Sequence, residues 1–340
     1  MEQFGILDGA PIQRIRIAND SLMAHILNYG AVVQDLRLAS VPHPLVLGFD
    51  HFEHYPLHSQ SFGILAGRHA NRIKDGHLPL GADVWQLDRN ENDVTHLHGG
   101  GAGTGSRVWD VVSSTQNSVH LHILCEHGEM GYPGNLTIDC YISISDPATL
   151  VFEITAVTDA TTVCNLAPHS YFNLDGTNNI GNHHLQIIAE HYLPVDPQGI
   201  PTGQIAAVAG TDFDFRAHHE PAMPRTLDTR LSSTAFDHNY CLHTQRRELS
   251  LAARLGASKA NERSVVMDVY TTEPGLQFYD GSKLDVPVAG LDGRHYCRHT
   301  GLCLEPQRWP DSMHYPSFAG AVLHPGEQYH QRSEYRLTTA

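Results

Sequence analysis

The stretch LTIDCYISI, residues 136–144, decides the fold. Every second residue is apolar, so Leu136, Ile138, Cys140, Ile142 and Ile144 share one face. A period of two marks a strand with one side buried; a helix needs a period near 3.6. VHLHILC (119–125) repeats the pattern, setting Val119, Leu121, Ile123 and Cys125 against His120, His122 and Leu124. LVFEITAVT (150–158) and SVVMDVYTT (264–272) read the same way and are rich in β-branched residues. Between such runs lie turn clusters: GYPGN (131–135), SDPAT (145–149), LDGTNNIGN (174–182) and DPQGIPTG (196–203). The 29 glycines and 19 prolines are spread along the whole chain and punctuate many short elements. Helical patterns are confined to ERSVV (262–266) and LDTRLSS (227–233), a turn or two each. An all-β chain in two or more packed sheets is expected. No change of composition divides it, so one domain over residues 1–340 is expected.

The chain has 340 residues, 41% hydrophobic and 17% charged, enough apolar material for a sizeable core. Its formal charge of −15 repels phosphate backbones and anionic lipid, which argues against nucleic-acid and membrane partners. No apolar run is long enough to span a bilayer. The opening MEQFGILDGAP lacks the basic and apolar regions of a secretory signal. Cys125, Cys140, Cys164, Cys241, Cys297 and Cys303 form no CxxC pair, and reduced thiols in the cytoplasm are expected.

The 25 histidines raise the question of a metal. His51, His54 and His58 lie close in sequence, as do His183, His184 and His191, but neither group matches H-E-x-x-H or a zinc-finger spacing. No bound metal and no cofactor are expected. GTGSRV does not make a G-x-S-x-G nucleophile turn, and GAGTGS (101–106) is neither a P-loop nor a dinucleotide fingerprint.

Polar residues instead gather in a few segments. AGRHANRIKDG (66–76) carries Asn71 and Arg72. VTHLHGGGAG (94–103) places His96 and His98 on one face of an extended run beside glycines. APHSYFNLDG (167–176) carries His169 and Tyr171. FDHNYCL (236–242) carries Asp237 and His238, EPGLQFYDG (273–281) carries Gln277, and GLCLEPQRWPD (301–311) carries Glu305. A histidine can give and take protons near neutrality, and a carboxylate held beside it can do the opposite job. Glu305 follows an apolar run, where partial desolvation raises its basicity. Read singly, each has a plain alternative: a hydrogen-bonded histidine, a solvated strand-end glutamate, a surface Asn-Arg pair, a turn-capping aspartate.

In order, these segments resemble the galactose mutarotase (aldose 1-epimerase) family over nearly the whole chain. The resemblance runs through NYGAVVQDLRL (28–38), the long block 63–100, GEMGYPGNL (128–136), NLAPHSYFNLDG (165–176) and FDHNYCL (236–242). It continues through VYTTEPGLQFYDGSKL (269–284), GLCLEPQRWPDSMHYPSF (301–318) and LHPGEQY (323–329). It implies a β-sandwich of large twisted sheets with an open sugar-binding cleft. It also implies interconversion of the α and β anomers of a free hexose such as galactose or glucose, without a cofactor. Matched by motif, His169 takes the place of the family's general acid and Glu305 that of its general base. Asn71, Arg72, His98, Asp237 and Gln277 take sugar-contacting places, and Tyr171 lines the same pocket.

Acid and base roles lead us to expect an ionised Glu305 beside a cationic His169. Phe278, Tyr279 and Trp309 are candidate faces for the sugar's C–H side. Pro168 stands where asparagine is often found, removing an N–H. Met313, His314 and Tyr315 replace smaller residues and are expected at the cleft rim; Ser282 is a further departure. A hexose-6-phosphate epimerase is the first rival, but the cleft segments supply few cations beyond Arg68, Arg72 and Arg308. A non-catalytic sugar-binding protein is the second, and its signature would be loss of the acid or base. A small-molecule sugar is the expected partner, with the chain a monomer or weak homodimer.

Overall fold

The computed structural model describes residues 1–216, 225–231, 235–242, 248–257 and 264–339. Three antiparallel sheets carry the architecture. The largest has nine strands, in the order Asp110–Ser114, Ser118–Cys125, Leu136–Ser145, Thr149–Thr158, Tyr329–Thr339, Val265–Thr271, Ser250–Ala257, His183–Ile187 and Arg225–Thr226. A six-stranded sheet runs Tyr171–Phe172, Leu302–Gln307, Gly275–Tyr279, Asp237–Cys241, His191–Tyr192 and Ala206–Ala207. A four-stranded meander covers Glu2–Leu7, Ala10–Ala18, Leu22–Leu27 and Val33–Leu38. The expected all-β, sandwich-like fold is borne out.

The alternation read in LTIDCYISI sets the layers. Leu136, Ile138, Cys140, Ile142 and Ile144 are all buried, together with Leu121, Ile123, Phe152 and Ile154 from neighbouring strands. They share one apolar cluster with Ile15, Ile17, Ala24 and Ile26 of the meander and with Leu276, Phe278, Leu302 and Leu304 of the six-stranded sheet. Each such Leu or Ile contributes about 1.5–3 kcal/mol by leaving water. The other face of the large sheet is polar: His120 and His122 both point at Asp139, at 2.7 and 3.0 Å.

LDTRLSS supplies the short helix Asp228–Leu231, with 232–233 outside the described residues. ERSVV does not make a helix; Val265 already begins a strand, and 262–263 lie outside the described residues. Its β-branched pair extends the alternation of the strand instead.

The six-stranded sheet is covered on both sides. Leu302 and Leu304 face the main core, whereas Cys303 turns the other way, towards a second cluster with Tyr171, Tyr279, Phe62 and Tyr296. Glu305 follows Cys303 by two residues and so shares its side. The run GLCL is therefore two faces interleaved.

Candidate active site

Antiparallel pairing on that second face assembles the first part of the site. Gln277 lies directly opposite Glu305, and Asn239 lies opposite Gln277. Asp237, two residues before Asn239, pairs with Tyr279. One row of alternate residues thus brings Asp237, Gln277, Tyr279, Cys303 and Glu305 to the same surface. His169 arrives from the segment after Ala167–Pro168, which pairs with Leu65–Ala66. Its backbone is clamped on both sides: His169 N–H donates to Ile64 O at 2.9 Å, and Gly63 N–H donates to His169 O at 3.0 Å. The imidazole is presented despite the missing N–H of Pro168.

Arg72 and His98 come from a third piece, where Arg72–Ile73 pairs with His96–Leu97. The strand stops at Leu97, because His98 takes a left-handed φ of 53°. Alternation is broken there, so His96 and His98 do not share a role. His98 opens on the cavity, whereas His96 is buried between Asp88 O and the Tyr132 hydroxyl. Gly99 follows with φ 90°; a Cβ there would lie 1.7 Å from Gly67 O, so only glycine fits. Ser61 (φ 67°) and Asn71 (φ 64°) are also left-handed and border the same space. Each such residue costs about 1–2 kcal/mol, a concentration of strain typical of functional sites.

All eight side chains expected from sequence line one cavity of about 300 Å³: Asn71, Arg72, His98, His169, Tyr171, Asp237, Gln277 and Glu305. His169 Nε2 stands 3.4 Å from Glu305 Oε1, and both residues are nearly sealed from solvent, at 5% and 1% exposure. The His98 and His169 rings meet edge to face, with centroids 5.1 Å apart. Tyr171 packs beside His169, its hydroxyl donating to Gln60 O at 2.8 Å.

The polar groups form a chain across the floor. Glu91 grips Arg72 with two bonds of 2.8 Å, to Nε and Nη2. Arg72 Nη1 reaches Asp237 Oδ2 at 3.4 Å, and Gln277 Nε2 donates to Asp237 Oδ1 at 2.7 Å. Gly199 (φ 82°) passes over the guanidinium; a Cβ there would sit 2.9 Å from Arg72 Nη1. Asn71 N–H donates to His98 Nδ1 at 3.1 Å, so that nitrogen must be bare and Nε2 must carry the proton. Among the described residues, Glu305 Oε2 and Gln277 Oε1 are buried without a hydrogen-bond partner.

Burial governs the protonation of the central pair. It pushes His169 down to about 4. It holds Glu305 well above the usual carboxylate range, with Asp237 adding to the rise and Arg72 opposing it. His98 is driven well below its ordinary value by burial and then by His169 and Arg72. The expected ionised Glu305 beside a cationic His169 is thus corrected for the free protein. Two ions in so dry a site lose more hydration than their mutual attraction returns. Burial favours the neutral pair, with its one proton on the carboxyl. That is the same proton count as carboxylate plus imidazolium; only its position differs.

Other expectations need revision. Phe278 is in the main core, and Trp309 packs with Leu193 and Phe318 while its indole N–H donates to Pro274 O. Tyr279 alone of the three aromatic candidates lines the cavity. Arg68 is spent on the carbonyls of Cys125, Glu126, Pro133 and Gly134. Arg308 lies outside the cavity, paired with Glu273 at 3.2 Å. Met313, His314 and Tyr315 do not line it either: His314 binds Asp311, and the Tyr315 hydroxyl donates to Pro201 O. Ser282 N–H caps Asp280 in a turn. Sequence reasoning missed Glu91, Ser61, Gln60 and Lys283, which also border the space. Glu91 sits in the polar run RNEND, and nothing local marks it, because its partner is 19 residues away.

Comparison with known proteins agrees with the fold and with the family resemblance. A sequence profile described as aldose 1-epimerase matches residues 13–336. Galactose mutarotase of Mus musculus is 37% identical, the match covering 98% of this chain and 96% of that protein. Aldose 1-epimerase of Escherichia coli (strain K12) is 32% identical, covering 97% and 96% respectively. Among solved structures, the aldose epimerase homologue from C. elegans superposes with a TM-score of 0.88 at 28% identity, covering 97% of this chain and 99% of that one. Galactose 1-epimerase from Lactobacillus acidophilus NCFM gives 0.83 at 26% identity, covering 100% and 98%. With the profile spanning almost its full length and these relatives matched end to end, the chain belongs to the aldose 1-epimerase family.

Proposed function

We propose that the cavity interconverts the α and β anomers of a free aldohexose such as galactose or glucose. The observation that carries this reading is the buried His169–Glu305 contact of 3.4 Å at the floor of a hexose-sized space. Anomerisation needs a base at the C1 hydroxyl and an acid at the ring oxygen together. Sugar hydroxyls entering the pocket supply the donors that Glu305 Oε2 lacks. The shared proton then moves to His169, which creates base and acid in one transfer. Glu305 removes the proton from O1 and His169 protonates O5 as the C1–O5 bond breaks. The aldehyde turns about C1–C2 and the ring closes on its other face. Glu305 returns its proton to O1 and His169 recovers one from O5, so the cycle ends where it began.

Asn71, Arg72, His98, Tyr171, Asp237 and Gln277 hold the remaining hydroxyls. Arg72 and the His98 Nε2–H donate; Asp237 and the unpartnered Gln277 Oε1 accept. Acid–base chemistry alone suffices, so the reaction calls for no metal or cofactor. A hexose 6-phosphate is less well matched. The lining cations are Arg72, already gripped by Glu91 and Asp237, and Lys283 at the rim. A binding-only protein would not need the acid–base pair.

Polarimetry on freshly dissolved α-galactose and α-glucose tests the reading, and a rotation curve no faster than the spontaneous one would overturn it. We further place the enzyme in the cytoplasm as one domain, acting as a monomer or weak homodimer. Six unpaired thiols and one apolar cluster running through all three large sheets support that placement.

A further inference from the structure

We propose that the cavity floor doubles as a zinc-type metal site, in which His169, Cys303 and Glu305 bind one divalent ion in competition with the sugar. The inference rests on the anomerase reading for its kinetic readout only. One ring nitrogen of His169, the Cys303 sulfur and a Glu305 oxygen all lie within 4.8 Å of one another. Among the described residues this is the one cluster of three such side chains that close. A tetrahedral ion with bonds of about 2.0–2.3 Å sets its donors about 3.3–3.8 Å apart, so side-chain rotations of about 1 Å complete the site. One spacing already falls there, His169 Nε2 to Glu305 Oε1 at 3.4 Å; Cys303 Sγ lies 3.6 Å from the other ring nitrogen, Nδ1, so an ion held through Nε2 draws the sulfur towards Glu305.

A second observation points to a ligand. Glu305 Oε2 is buried and unpartnered on the same floor, and an oxygen in that state gains from any cation. Imidazole, thiolate and carboxylate together suit Zn²⁺ and Co²⁺ over Mg²⁺ or Ca²⁺. The fourth position opens on the cavity, where water completes the shell. Cys303 gives up its proton on binding, as does Glu305, so affinity rises with pH. The ion takes the lone pairs that proton transfer requires. Metal binding and turnover therefore exclude each other, and the site is inhibitory.

Two measurements test this on the whole protein. Titration with Co²⁺ should raise a thiolate-to-metal charge-transfer absorption that galactose suppresses and Cys303→Ser abolishes. Zn²⁺ should raise the apparent KM for galactose without lowering kcat, reversibly by chelation. Cys303→Ser, or Cys303→Ala if serine disturbs folding, should weaken the inhibition by about tenfold or more, measured against that variant's own metal-free turnover. Lack of the absorption in the wild type, or inhibition unchanged in a folded Cys303 variant, overturns the proposal. A protein without mutarotase activity would still answer the cobalt titration, so the two readings fail separately.

Discussion

Replacing Glu305 by glutamine isolates the base. The side chain is 1% exposed and stands in register with Gln277, so the amide fits the same space. It cannot take a proton from O1. Loss of one proton-transfer partner costs about 10²- to 10⁴-fold in kcat, or about 3–5 kcal/mol in the barrier. KM should change little, because Arg72, His98 and Asp237 are untouched. Burial favours the neutral carboxyl, whose shape and charge the amide keeps. Stability should therefore shift by less than about 1 kcal/mol. Burial, and not Glu305, dominates the lowering of His169 to about 4. The imidazole should thus remain neutral at pH 7 in both proteins. Polarimetric kcat, thermal melting and ¹⁵N chemical shifts of the His169 ring supply the three readouts. Turnover within tenfold of wild type would remove Glu305 as the base. An imidazolium signal from the free wild-type protein at pH 7 would refute the argument that burial keeps this ring neutral.

Burial lowers His69 to about 3 and His96, His169, His183 and His238 to about 4, from an ordinary 6.5. The unfolded chain binds these protons first, so stability is full above about pH 6.5 and falls as pH drops towards 4. Glu305, Asp35, Glu273 and Asp280, raised by burial, run the opposite way, but His25 and His98 bring the lowered imidazoles to seven against four. Urea midpoints at pH 7.5, 6 and 5 should fall steadily, and equal midpoints would contradict the burial argument. Glu91→Gln should raise KM about tenfold or more with a smaller effect on kcat, since the amide loses the ionic two-point grip on Arg72; a change confined to kcat would contradict a positioning role. Leu304→Ala, on the core face of the same strand as Glu305, should cost about 2–5 kcal/mol in chemical denaturation. A loss below 1 kcal/mol would mean that the cluster is not packed as described.

The fold was legible because alternation in residues 119–158 is a direct image of a half-buried sheet, and burial follows it residue by residue. The site was legible through motif resemblance, which named eight of the fourteen residues that line the cavity. Local reasoning failed where backbone geometry departs from regularity. The φ of 53° at His98 separates it from His96, and no spacing argument sees that. Glu91 was invisible because a loop residue shows its purpose only when its distant partner arrives. The charge state was misjudged for a different reason. Two ions in contact look favourable until their depth is known, and depth is a property of the whole packed molecule. Phe278 failed likewise as an aromatic candidate: it neighbours Tyr279 in sequence but lies on the opposite side of one strand.

That two-sidedness has a consequence for how this chain can change. Within Leu302–Gln307 the odd-numbered Glu305 lines the cavity, while the even-numbered Leu302 and Leu304 supply the hydrocarbon support. Deleting or inserting a single amino acid there would swap the parity of everything beyond it. Leucine would enter the sugar chamber, and the glutamate would be forced into oil. Catalysis and folding would fail in the same stroke, so the strand can vary its letters but not its length.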